Sequence, residues 1–147
     1  MRTFPEPPFV RVVHADWYEL LEDYRYIWTH RGTQHRWTVP RGFLFDGASV
    51  PRLARVWIGP WSLGLGPPLI HDHGYRHRGV MPAGTHEVVR MGHWSPQRDP
   101  WSRRGIDRMM GRMMREKSIP RFRRRMAYRA VRVGGWWPWL AGGEDWS

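Results

Sequence analysis

A histidine beside an aspartate, with a tyrosine one helical turn further on, carries the clearest chemistry in this chain: His71-Asp72-His73-Gly74-Tyr75. An imidazole titrates near neutrality and can take a proton from water. A carboxylate on its second nitrogen fixes the tautomer and stabilises the imidazolium. His71 and Tyr75, four residues apart, share one face of a helix. Asp107 is placed to reach them, because it precedes Met110 and Met114 by three and seven residues and so sits at the edge of a buried stripe. His71, Tyr75 and Asp107 are therefore the candidate catalytic residues of a hydrolase. A second reading makes His71, His73, His77 and Asp72, with Asp46 or Asp107, ligands for zinc or another divalent ion, although only His73 and His77 of the three histidines share a face. The plainest reading is structural: His71 and Asp72 cap or cross-link the helix, Tyr75 fills the core, and Asp46 and Asp107 hold arginines or backbone amides. His86 and His93 are expected to be exposed loop residues.

The elements that must position these groups read as an α+β arrangement, with a small N-terminal antiparallel sheet packed against three or four C-terminal helices. Residues 9–13, 17–28 and 36–45 are rich in β-branched and aromatic side chains and are separated by turn-like segments. Pro40 has no amide hydrogen to donate, so the last of these is expected to be an edge or bulged strand. Ser49 is a plausible N-cap and Pro51 a first-turn residue for a short helix through Trp57. Pro67 and Pro68 introduce a second helix over 69–78 that carries the histidines, with Gly79 as its stop. Residues 80–101 show no sustained periodicity and are expected to form a flap, a partner-binding loop or an inert insertion. Ile106, Met109, Met110, Met113 and Met114 then recur at helical spacing as a buried methionine stripe. A last helix starts near Pro120 and is expected to turn Phe122, Met126, Ala130 and Val133 inward. Arg121, Arg124, Arg125 and Arg132, with their arginine neighbours, are left as a surface for an acidic partner. The tail, 134–147, is too interrupted by Gly and Pro for a long helix and is expected to strap its tryptophans across the domain, a membrane or protein contact being the alternative.

Length and composition bound the rest. A chain of 147 residues fits one domain, with its sheet over 9–48, its helices over 49–133 and the tail beyond. Eleven tryptophans must supply much of the core or coat a contact surface. Cysteine is absent, which excludes disulfides and thiolate metal sites, so any metal must bind nitrogen or oxygen. A formal charge of +11, in which Lys117 is the only lysine among 24 cationic side chains, favours attraction to phosphate in nucleic acid, anionic lipid or nucleotide. No apolar run approaches the roughly 18 residues that cross a bilayer, and nothing near Met1 resembles a signal peptide, so synthesis in the cytoplasm is expected.

Four segments carry a family resemblance. They are Val39-Pro40-Arg41-Gly42-Phe43 with Asp46-Gly47-Ala48-Ser49-Val50-Pro51-Arg52, then His71-Asp72-His73-Gly74-Tyr75, then Ser102-Arg103-Arg104-Gly105-Ile106-Asp107-Arg108-Met109, and finally Met126-Ala127-Tyr128-Arg129-Ala130-Val131-Arg132. In this order, over residues 36–135, they resemble a family of short phage and prophage proteins of unknown function. The resemblance implies a shared fold and a phage or prophage origin, hence a host-cytoplasmic or virion-associated chain. The segment between the His-Asp helix and the Asp107 helix is longer here than in that family. The His-Asp-x-x-Tyr helix with a later inward aspartate is also similar to the site of secretory and viral-capsid calcium-dependent phospholipases. That similarity implies that His71 activates water, Asp72 binds calcium and Asp107 orients the imidazole. A hard calcium ion takes carboxylate and carbonyl oxygens, which Asp46-Gly47-Ala48 or Gly64-Leu65-Gly66 could add. Esters of anionic lipids are then the leading substrates. The competing expectation is a non-enzymatic virion or tail component that binds protein, nucleic acid or envelope through its arginine and tryptophan surfaces.

Overall fold

The computed structural model describes residues 1–14, 17–46, 64–135 and 139–140. Among them lie eight strands and three helices: β1 (Arg2–Thr3), β2 (Val10–His14), β3 (Trp17–Leu20), β4 (Tyr24–His30), β5 (Thr33–Val39), β6 (Leu44–Asp46), α1 (Gly66–Arg76), β7 (His86–Arg90), β8 (His93–Pro96), α2 (Arg103–Glu116) and α3 (Arg121–Gly134). The architecture is α+β, as the patterning predicts. The expected helix from Ser49 to Trp57, the loop residues Gly47 and Ala48, and most of the tryptophan tail lie outside the described residues.

The strands form two sheets, one ordered β1-β4-β5-β7-β8 and the other β2-β3-β6. All pairings are antiparallel except that of β1 with β4. The expected strand over 17–28 is two strands in different sheets, and so is that over 36–45. Pro40 marks the second break. It follows β5, which lies in the middle of its sheet between β4 and β7, so the missing amide ends a central strand instead of marking an edge. The segment after α1, expected to be irregular, adds the β7–β8 hairpin to the larger sheet through pairing of Val88 with His35 and His86 with Trp37. Its two-residue turn, Met91-Gly92, has positive φ at both residues, 50° and 80°, as does Arg31-Gly32 between β4 and β5. Such turns match the twist of the strands they join.

One face of the larger sheet faces the helices. Cross-strand register aligns Tyr24 with Val39, Tyr26 with Trp37 and Trp28 with His35, and alternation leaves all but His35 of these buried. The core continues through Leu69, Ile70 and Tyr75 of α1 and Ile106, Met109 and Met113 of α2. Met110 and Met114 turn the other way, onto Ile119, Ala127 and Val131, so the methionine stripe joins sheet and helical hairpin. Helix α2 starts at Ser102, whose side chain accepts from the Gly105 amide at 3.0 Å. Helix α3 is rotated from the expected face. Ala127 and Val131 are buried, whereas Phe122 and Val133 are 62% and 83% exposed. Apolar residues stand at several angles around this helix among its arginines, so its sequence pattern admits more than one inward face, and contact with the methionines selects the small, tightly packing one.

Candidate functional site

Helix α1 carries His71 and Tyr75 on the face turned to α2. Pro67 and Pro68 stand in its first turn, where a missing amide hydrogen costs no helical bond. Gly74 permits the close crossing. A β-carbon there would stand 2.9 Å from two carbons of the Ile106 side chain, so any larger residue would push α2 away. That approach brings Asp107 within hydrogen-bonding distance of both α1 side chains, as the sequence spacing anticipates. Asp107 Oδ1 is 3.1 Å from His71 Nε2 and accepts the Tyr75 hydroxyl at 2.5 Å. Its other oxygen, Oδ2, accepts from Arg132 Nη1 of α3 at 2.9 Å. Arg103 Nε donates to the Tyr75 oxygen at 3.2 Å and its Nη2 donates to the backbone oxygens of Val131 and Arg132. Arg132, its side chain still 37% exposed, is therefore tied to Asp107 and is not a free member of the arginine surface. It reaches inward because Asp107, 0% exposed, is a buried charge that must be paired.

The electrostatics follow from this clamp. Burial raises the cost of a charged Asp107 carboxylate, but hydrogen bonds from His71, Tyr75 and Arg132 outweigh it and hold its pKa below the usual carboxylate range. Burial pushes the His71 imidazole down, and the hydrogen bonds and charges of Asp107 and Asp72 outweigh it, leaving the pKa raised. Burial, and then the hydrogen bond to Asp107, push the Tyr75 hydroxyl up, so it stays a donor. His71 Nδ1 lies 3.5 Å from Asp72 Oδ1. The imidazole is thus held between two carboxylates and is 3% exposed, while Asp72 is partly exposed.

Asp46, at the end of β6, does not join the Asp107 cluster. Asp46 and Asp72 both act electrostatically on Arg76, whose guanidinium lies 4.6 Å from the centre of the Phe43 ring. Among the described residues no three His, Asp or Glu side chains converge as a metal cage. His73 and His77 share a face as expected, with ring centres 4.8 Å apart.

Three histidines have surroundings that sequence reading did not anticipate. His73 is buried against Trp37, whose indole nitrogen donates to its Nδ1 at 3.2 Å. An indole N–H can only donate, so His73 is neutral with its proton on Nε2. Burial first, then the charges of His77 and Arg76, lower its pKa to about 3. His86, expected in an exposed loop, is instead a buried residue of β7. Trp101 Nε1 donates to its Nδ1 at 3.2 Å, and its Nε2 lies 3.1 Å from His35 Nδ1. By the same logic its proton sits on Nε2 and is donated to His35, whose own Nε2 then carries hydrogen. Burial chiefly, then the charge of His35, lowers the His86 pKa to about 4. The two rings stack with Trp28 at centroid distances of 5.1 and 5.5 Å. A signal for His86 existed: the alternation through His86-Glu87-Val88-Val89-Arg90, closed by Met91-Gly92, has the form of a strand entering a hairpin. His93, in β8, is exposed as expected.

No curated protein and no solved structure matches the chain significantly. A family model matches residues 18–131, a span that takes in both sheets' principal strands, the His-Asp helix and the Asp107 helix. The chain accordingly belongs to the family described as "Protein of unknown function (DUF1353)".

Proposed function

We propose that the chain is a phage-encoded hydrolase in which His71 activates water against an ester, with phospholipase-like cleavage of anionic lipid esters as the leading reaction. The observation that carries this reading is the position of His71 between Asp107 and Asp72. With its Nε2 proton donated to Asp107, the imidazole has Nδ1 as its basic atom. Tyr75 and Arg132 hold Asp107 ionised and oriented, and Asp107 in turn fixes the tautomer and stabilises the imidazolium formed when Nδ1 takes the water proton. The hydroxide equivalent attacks the acyl carbon, and the alkoxide leaving group recovers the proton from Nδ1. Asp72 and Asp46 are the carboxylates that would hold calcium, supplying charge stabilisation for the developing oxyanion. They are two of the six to eight oxygens calcium takes, and Arg76 already balances part of their charge. Zinc, served by His73 or His77 with the same carboxylates, is the lesser alternative. None of the proton transfers depends on a metal.

A second reading rests on the burial of the same residues. His71, Tyr75 and Asp107 are 3%, 4% and 0% exposed, which suits a polar cross-link that ties α1, α2 and α3 together in a non-enzymatic virion or tail component. Hydrolysis of mixed anionic phospholipid vesicles, with and without calcium, separates the two readings when the native chain is compared with His71→Ala at matched thermal stability. The hydrolase reading expects fatty-acid release that disappears in the variant, with His71→Ala folding nearly intact. An inactive, well-folded native chain whose His71→Ala form loses about 1–3 kcal/mol of stability would overturn it in favour of the cross-link.

A further inference from the structure

The positive charge of this protein is concentrated in one hairpin. Residues 103–134 hold eleven arginines and Lys117 against only Asp107 and Glu116, a net +10 of the chain's +11. Both carboxylates are already engaged, Asp107 by Arg132 and Glu116 by Arg112 at 2.8 Å. Six of the nine remaining arginines share one site. Arg108 and Arg115 of α2 and Arg121, Arg124, Arg125 and Arg129 of α3 line one groove of roughly 600 Å³ between the two helices. Gly111 also lines it, and open space surrounds the position a β-carbon would occupy there. No acidic side chain lines it. Such crowding opposes folding, since like charges four apart on a helix, as in Arg121, Arg125 and Arg129, each cost about 0.2–0.5 kcal/mol. The Nε atom of Arg124 is buried without a hydrogen-bond acceptor.

We propose that this groove binds a single strand of nucleic acid through its phosphates. Arg121, Arg125 and Arg129 rise about 6 Å per step along α3, on the scale of successive phosphates in an extended strand, while Arg108 and Arg115 face them from α2. Guanidinium groups match phosphate oxygens in paired hydrogen bonds and lose little hydration in doing so. Tyr128 lines the same groove and gives an unpaired base a ring to stack on. The groove lining argues against a membrane, because it holds arginines, Gly111 and Tyr128 and no aliphatic side chain that would enter a bilayer. The site is separate from the His71 chemistry, so either proposal can fail alone.

Fluorescence anisotropy with a labelled mixed-sequence DNA strand of about 16 nucleotides tests the proposal on the full chain. With four to six phosphates neutralised, log K should fall against log salt with a slope of roughly −3 to −4. The triple variant Arg121→Gln, Arg125→Gln, Arg129→Gln should weaken binding on the order of 100-fold and make the slope shallower by about 2. A control triple at exposed arginines elsewhere, Arg11→Gln, Arg31→Gln, Arg41→Gln, removes the same charge and should leave the affinity within about threefold, since well-separated exposed charges are screened at these salt concentrations. Circular dichroism confirms that the three proteins compared are folded. Equal loss in both triples would overturn the proposal in favour of diffuse charge attraction. Tighter binding to a duplex of the same sequence, or sedimentation with phosphatidylserine vesicles that the groove triple abolishes while strand affinity is unchanged, would overturn it in favour of a duplex or a membrane.

Discussion

Acid should unfold this protein through its buried neutral histidines, well before its carboxylates titrate. His73 and His86 have folded pKa values of about 3 and about 4 against 6.5 in an unfolded chain. Each nitrogen that would take the proton is engaged or enclosed: Nδ1 of His73 accepts from Trp37, and Nδ1 of His86 accepts from Trp101. The unfolded chain therefore binds protons that the folded one refuses. The resulting stability is fully present above pH 6.5 and is lost as pH falls toward the folded values, by up to about 1.4 kcal/mol per pH unit for each group. Between pH 7.5 and pH 5 each histidine then removes about 2 kcal/mol, together about 4 kcal/mol, a large part of the roughly 5–15 kcal/mol that holds a domain of this size. His35 and His77, whose pKa values burial also lowers, add in the same direction. Of the His71 cluster, Asp107 leaves this window undisturbed, whereas His71 opposes the slope at its upper end, between pH 7.5 and 6.5. The raised His71 pKa contributes stability already complete below pH 6.5, and the lowered Asp107 pKa contributes stability that is lost only below the ordinary carboxylate value of 3.8. Urea unfolding followed by tryptophan fluorescence at pH 7.5, 6 and 5 reads the slope, and urea leaves the arginine charges unscreened where guanidinium chloride would not. Replacing both residues, His73→Gln and His86→Gln, should flatten it by about 1.6 kcal/mol per pH unit averaged over this range. A wild-type stability that is level from pH 7.5 to 5, or a double variant with the full slope, refutes the argument that these imidazoles are held neutral.

Four further outcomes follow from the same contacts. Asp107→Asn leaves Arg132 and His71 facing a neutral amide and should cost about 3–5 kcal/mol in urea unfolding, with the His71 pKa falling by NMR titration; an unshifted His71 would mean that Asp107 does not set its basicity. Gly74→Ala drives a methyl group into Ile106 and should cost about 1–3 kcal/mol, relieved by Ile106→Ala, which removes all three contacting carbons, in a double-mutant cycle. Met113→Ala, at a fully buried position between sheet and hairpin, should lower stability by about 2–5 kcal/mol, and a smaller loss would show that the stripe tolerates collapse. If His71 is the base, vesicle hydrolysis should rise with pH through a value above the ordinary imidazole range, and Asp72→Asn should move that limb to lower pH; a limb that stays put assigns it to another group.

What the sequence by itself determined is local and periodic. The methionine spacing of 106–114 fixes a buried face whatever α2 packs against, because side-chain direction in a helix is set by residue number alone. Pro67, Pro68 and Pro120 mark helix starts through backbone chemistry that needs no partner. The pairing of His71 with Tyr75 is likewise a matter of one helical turn, and the edge position of Asp107 follows from its offset to the methionines. Other features depend on what stands opposite. Arg132 is indistinguishable in sequence from Arg129 or Arg125, and only the location of a buried carboxylate on the neighbouring helix turns it inward. The inward face of α3 is decided by which residues are small enough to meet Met110 and Met114. His86 and Val88 are buried because β5 offers a sheet edge for β7 to join, and that pairing spans some fifty residues of chain, from Val88 to His35. The arginine groove belongs to the same class: its six guanidinium groups come from two helices, and only the crossing of α2 and α3 makes a concave site of them.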